Sequence, residues 1–143
     1  MYRNILIATD GSELATGAAK QGIALAKSLG SKVTVVKVTE PLYGFDANIP
    51  ASAQPGIVHA ARQEAAAVLD RLAEAAKAAG VPCETINIEK GPPYLSIIET
   101  AQAKHCDLIV MGSHGRSGAA ALVVGSHTQK VLTYSKIPVL VYR

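Results

Sequence analysis

Short apolar runs, each closed by glycine, proline or a turn-forming polar group, set the rhythm of this chain. Ile5-Leu6-Ile7-Ala8 is apolar throughout and stops at Thr9-Asp10-Gly11-Ser12, which reads as a strand and its turn. Ser12 is a suitable N-cap for a helix over about 13–29, where Leu14, Ala18, Leu25 and Leu29 fall at helical spacing and Gly30 supplies the stop. The β-branched run 33–38 predicts a second strand. The rhythm then breaks over 39–56, where Pro41, Gly44, Pro50, Pro55 and Gly56 oppose any regular element. A second helix is expected over roughly 57–79, with Val58, Ala61, Ala65, Val68, Leu72, Ala75 and Ala79 along one face and Gly80 and Pro82 beyond it. In the next segment, 83–88, Ile86 and Ile88 flank Asn87, as on a strand with one wet face. Gly91-Pro92-Pro93 opens a third helix carrying Leu95, Ile98 and Ala101. The apolar run 108–111 is the fourth strand, 119–134 the fourth helix, broken or bent near Gly125, and 139–142 the fifth strand.

Strand and helix alternate strictly. Strands one, two, four and five are nearly continuous apolar runs, as in a parallel sheet covered on both faces. Right-handed crossovers turn that order into a doubly wound α/β fold. No internal repeat or linker interrupts it, and 143 residues suit one domain spanning 1–143.

The loop after strand four changes the picture from fold to chemistry. Gly112-Ser113-His114-Gly115 is followed after nine residues by Gly125-Ser126. Glycines let a backbone approach a ligand closely and present bare N–H groups, and a helix beginning just beyond adds the positive end of its dipole. This is a seat for phosphates, although it is neither a Walker loop, since no Gly-Lys pair occurs there, nor a GxGxxG fingerprint. Ligands of doubly wound sheets sit at the carboxyl ends of strands where the strand order reverses. With strand one beside strand four, Asp10 shares that crevice. It would accept hydrogen bonds from ribose hydroxyls, meet a metal on the phosphates, or simply cap a turn.

Composition narrows the function classes. Hydrophobic residues make up 49% and charged residues 17%, which describes a well-cored globular chain, and with 4% aromatics the core must be mainly aliphatic. The net charge of +3 comes from scattered residues, among them Arg3, Lys20, Lys27, Lys32, Lys37, Arg62 and Arg71, with no basic run interleaved with aromatics, so nucleic acid is a poor partner. No signal-like segment opens the chain and no apolar run approaches the ~18 residues of a membrane span. Two cysteines, Cys83 and Cys106, suit a reducing compartment. A soluble, cytoplasmic protein is expected.

The chain resembles the universal stress proteins of the nucleotide-binding, UspA-like type. The resemblance rests on 5–12, on Asp107 to Gly118 with its glycine motif, on Gly125-Ser126, and on Pro138-Val139-Leu140-Val141. It implies a flavodoxin-like (Rossmann-like) five-stranded parallel sheet in the order 3-2-1-4-5, ATP (or ADP or AMP, with or without Mg2+) as ligand, and a homodimer. Carried over by position, Asp10 matches the ribose contact, and Ala8, Thr9 and Val38 match backbone or wall positions around the adenine. Gly112, Gly115, Gly125 and Ser126 match phosphate contacts, with His114 and Thr128 beside them; Met111, Arg116 and His127 complete the candidate site. His127 departs from the small aliphatic residue usual after Gly-Ser, and 134–137 also departs from the common pattern. In that strand order Cys83 and Cys106 stand three strands apart, roughly 14 Å, beyond disulfide reach. Both are therefore read as buried free thiols.

Other assignments stay weaker. Ser113 or Ser126 as nucleophile with His114 as base lacks an oriented third group. His114 and His127 lack a third metal ligand. His59 and His105 read as solvated helix-end residues. Arg116 is either a phosphate counter-charge or a solvated loop residue, and Tyr43 and Phe45 either cover a base or are incidental. Three functions follow: an ATP-binding dimeric module with an unidentified protein partner, a slow ATP hydrolase or phosphotransferase, and a nucleotide-free interaction dimer. Strand five, Val139-Leu140-Val141, is the expected dimer contact, because an exposed apolar edge needs cover.

Overall fold

The computed structural model describes residues 1–39, 50–114 and 124–143. Five strands form one parallel sheet: β1 (Asn4–Thr9), β2 (Lys32–Val38), β3 (Cys83–Ile88), β4 (Leu108–Gly112) and β5 (Val139–Tyr142), in the order β3-β2-β1-β4-β5. Among the described residues the helices are α1 (Glu13–Leu29), α2 (Gln54–Ala78), α3 (Pro93–Ala103) and α4 (Ser126–Tyr134), with a 3-10 turn at Ala51–Ala53. The fold is thus the α/β, doubly wound one expected from the alternation, with the flavodoxin-like strand order that the resemblance implies.

Strand alternation divides the core in two. Ile5, Ile7, Val33, Val35, Leu108 and Val110 face α1 and α2, meeting Ile23, Ala26, Val68, Leu72 and Ala76. Leu6, Ala8, Val36, Ile109 and Met111 face the other way, toward Ile97 and Ala101 of α3 and Val131 of α4. β1 and β4 are buried along their whole length, which explains why both read as unbroken apolar runs.

Helix α1 is capped as its sequence suggests. Ser12 Oγ accepts from Ala15 N at 3.3 Å, and Gly30 closes the helix at φ 68°. Its buried face is not the leucine stripe, however. Ala15, Ala18, Ala19, Gly22, Ile23 and Ala26 are buried, while Leu29 is exposed. A Cβ on Gly22 would lie 2.9 Å from Ile7 Cδ1, so the helix axis approaches the sheet too closely for large side chains. Leu95 of α3 is likewise exposed, and Ile97, Ile98 and Ala101 fill its place.

Two boundaries move. α2 begins at Gln54, so Pro55 and Gly56 lie in its first turn, where a proline lacks nothing the helix needs. The fourth helix begins at Ser126, not at 119: Val124 is not helical and Gly125 is extended (φ −57°, ψ 150°). Gly125 N donates to Ser113 O at 2.6 Å, which binds this residue to the end of β4 and makes it the start of the helix instead of a bend within it. Residues 119–123, 40–49, Tyr43 and Phe45 lie outside the described residues. Both cysteines are free; Cys106 is buried but Cys83 is only partly so, and burial pushes both thiols up from their ordinary pKa.

Candidate functional site

A cavity of about 660 Å³ opens over the carboxyl ends of β1, β2 and β4, within the range of small-molecule sites. It sits where the strand order reverses, between β1 and β4. Because neighbouring residues on a strand point to opposite faces, the cavity straddles the sheet edge. Ala8, Val38, Met111, Pro93 and Ile97 give one apolar lobe on the α3 side. Thr9, Lys37, Gly112, Ala15, Ala61 and Glu64 give a second, more polar lobe on the α1 and α2 side.

The turn after β1 fixes Asp10. Thr9 Oγ1 accepts from Gly11 N at 3.1 Å and Asp10 Oδ1 accepts from Ser12 N at 2.9 Å. Gly11 sits at φ 86°, a conformation that favours glycine. One carboxylate oxygen therefore holds the turn, and this sets the side chain at the cavity wall, half-buried.

The far wall is built from β4 and the start of α4. Ser113 N donates to Tyr142 O of β5 at 2.8 Å, and Ser113 O accepts from Gly125 N. Thr128 Oγ1 donates to Gly112 O at 2.8 Å, a buried contact that clamps the first turn of α4 to the last residue of β4. A Cβ on Gly125 would be crowded, 3.1 Å from His114 Cα and 3.2 Å from Ser113 O, so the backbone there would have to give by a few tenths of an ångström. Gly112 is under no such constraint: its nearest neighbours would be 3.5 Å away. Among the described residues no side chain caps α4, and its positive end lines the cavity through Ser126, His127 and Thr128, beside His114 and Gly125.

The structure brings Ala8, Thr9, Asp10, Val38, Met111, Gly112, His114, Gly125, Ser126, His127 and Thr128 to this one cavity. Gly115 and Arg116 lie outside the described residues. Thr128 has its single hydroxyl proton on Gly112 O, so it acts on the wall and has no proton to donate to a phosphate. Ser113 is 2% exposed, which removes it as a nucleophile for a ligand in the cavity. His59 and His105 are exposed, as expected.

Several lining residues escaped the sequence reading. Lys37 was grouped with the scattered surface cations; it is 6% exposed and lines the cavity. Its signal lies in the sequence, where a lysine interrupts the β-branched run near the carboxyl end of β2. Glu64, Ala61, Pro93, Ile97, Ala15, Thr39 and Val124 also line it, and these carry no local pattern because tertiary packing alone brings them there. Among the described residues no group of three or more His, Cys, Asp or Glu side chains could hold a metal ion, and no helix is long and apolar enough to cross a membrane.

Comparison with known proteins agrees with this architecture. The family model described as "Universal stress protein family" matches residues 1–143. A universal stress protein of Thermus aquaticus is 33% identical over 143 residues, covering all of both chains. Universal stress protein MJ0531 of Methanocaldococcus jannaschii is 32% identical over 145 residues, covering all of this chain and 83% of that protein. Among solved structures, the protein MJ0577 superposes with a TM-score of 0.82 at 27% identity, covering 99% of this chain and 96% of that one. A universal stress protein in complex with cAMP superposes at 0.74 with 26% identity, covering 99% and 97%.

Proposed function

Since the chain belongs to the universal stress protein family, we propose that it is an adenine-nucleotide-binding member of that family, taking ATP, ADP or AMP in the cavity at the carboxyl edge of the sheet. The observation that carries this reading is the cavity itself: one apolar lobe, the Asp10 carboxylate on the wall, and a glycine-built wall ending at the start of α4. A flat base suits the lobe of Ala8, Val38, Met111 and Ile97. Asp10 stands where ribose hydroxyls would donate to it. Phosphates would lie against Gly112, His114 and the Gly125-Ser126 start of α4, with Gly115 and Arg116 next in the chain. The solved relative in complex with cAMP supports an adenine ligand for this kind of site.

The function is binding more than turnover. Rate requires a group that stabilises the transition state beyond the ground state. In this cavity one oxygen of Asp10 holds a backbone turn, and the Ser113 hydroxyl is buried against His114. A magnesium ion would be held mainly through the phosphates, with the Asp10 carboxylate on the cavity wall, a common arrangement for that ion. The module acts as a homodimer in the cytoplasm through β5, with its nucleotide state read by a protein partner.

Mass analysis of small molecules released from freshly purified, denatured protein tests the reading; an adenine nucleotide at near-stoichiometric yield is expected. Asp10→Ala should then weaken ATP and ADP alike, by about 10- to 100-fold for a charged hydrogen-bond partner. A loss confined to ATP and abolished by chelator would assign Asp10 to magnesium instead. No nucleotide released, together with no binding in calorimetric titration, would reject the proposal.

A further inference from the structure

Ser113 and His114 form a side-chain pair that the glycine motif does not account for. Ser113 Oγ and His114 Nδ1 are 2.7 Å apart. The serine is held on both sides, by Tyr142 O of β5 on its N–H and by Gly125 N on its carbonyl. It is almost completely buried, whereas His114 is half-buried and lines the cavity. Among the described residues, Ser113 Oγ has no other hydrogen-bond partner, so its proton goes to Nδ1.

A neutral imidazole carries one proton. With Nδ1 accepting, that proton sits on Nε2, and the ring offers an N–H. The opposite tautomer would direct a lone pair to the same place and leave the serine proton without an acceptor. A lone pair repels an anion; an N–H binds it. We propose that Ser113 is a positioning residue that fixes His114 as an Nε2–H donor for a phosphate oxygen in the cavity. The inference rests on the nucleotide reading above and names the group on this chain that meets the phosphate. It also explains why the serine after Gly112 is buried: its task is to orient its neighbour, and it never touches ligand.

The test uses amide side chains as tautomer mimics. Gln presents its N–H near the place of Nε2, and Asn near that of Nδ1. Calorimetric titration with ADP at pH 8 should show His114→Gln close to wild type and His114→Asn weakened by about 10-fold or more, the scale of one hydrogen bond to a charged group. Ser113→Ala should weaken ADP by about 3- to 10-fold in the wild-type background and by less than about 2-fold in the His114→Gln background, a coupling that a merely structural serine would not produce. Nitrogen NMR on the ligand-free protein gives a second readout: Nδ1 unprotonated and Nε2 protonated in wild type, and a tautomer mixture in Ser113→Ala. Nδ1 found protonated, or equal losses in the two backgrounds, overturns the inference. Failure of wild type to bind ADP rejects the nucleotide reading and the phosphate contact with it, while the NMR result still decides whether Ser113 sets the tautomer.

Discussion

Thr128 and Cys106 show how one buried polar or thiol group sets local behaviour. The Thr128 hydroxyl gives its proton to Gly112 O inside the protein, where water cannot substitute. Thr128→Val keeps the shape and removes the donor, leaving a buried carbonyl without its partner. The expected cost is about 1–3 kcal/mol, read as a lower denaturant midpoint at unchanged m-value. Because this bond joins α4 to β4, nucleotide affinity should fall with it; full stability in Thr128→Val would show that the clamp contributes nothing. Cys106 is 6% exposed and burial raises its pKa, so thiolate is scarce and access requires opening of the structure. At pH 7.5 a maleimide should label Cys83 before Cys106, with Cys106 reacting fully only in denaturant. Mass spectrometry of timed, quenched samples checks the order, and rapid native labelling of Cys106 would contradict it.

The elements were legible where a pattern of large apolar residues coincides with packing, and obscure where small residues do the packing. β1, β4 and the face of α2 that carries Ala65, Val68 and Leu72 read directly from the chain because burial there follows hydrophobicity. The face of α1 did not, since alanines and Gly22 hold it to the sheet and its leucines lie to the side. The start of α4 was misplaced because Gly125 looks the same in sequence whether it bends a helix or begins one; its bond to Ser113 O decides. The cavity divides similarly. Asp10 and the glycine wall follow from local motifs, whereas Glu64 and Ile97 arrive from α2 and α3 only through tertiary packing, and Lys37 was hidden by its charge. Gly22 gives the sharpest test at this scale. Gly22→Val adds branched carbon where a Cβ alone would stand 2.9 Å from Ile7 Cδ1 and 3.3 Å from Val110 Cγ1. Overpacking of this kind costs about 1–3 kcal/mol, outweighing the ~1 kcal/mol of helix propensity gained by replacing glycine. Thermal melting should show a clear fall; a stabilised variant would mean that α1 shifts freely on the sheet.

At the scale of the whole molecule, the unfinished feature is the β5 edge. β5 pairs with β4 alone among the described residues and ends the sheet order. Its inward pair, Val139 and Val141, is half-buried, but Leu140 is 47% and Tyr142 37% exposed on the α1 side. Leu132 and Tyr134 of α4 are exposed as well. Isolated exposed apolar residues are ordinary, yet Leu140 and Tyr142 on one face of an edge strand favour pairing. A second copy presenting the same edge across a two-fold axis would cover it, and this is the dimer of the proposed function. The cavity lies over β1, β2 and β4, so the edge can be altered without touching Asp10 or Gly125. Leu140→Lys places a charge on the surface that must be desolvated and also places it opposite its own copy. Light scattering at micromolar concentration should therefore report a dimer for wild type and a monomer for Leu140→Lys. ADP affinity should stay within about 2-fold, since the lining residues are unchanged and remote substitutions rarely couple strongly. A wild-type monomer would remove β5 as an interface. A monomeric variant that also lost ADP would instead show that the Tyr142 O to Ser113 N bond carries dimer contacts into the phosphate wall.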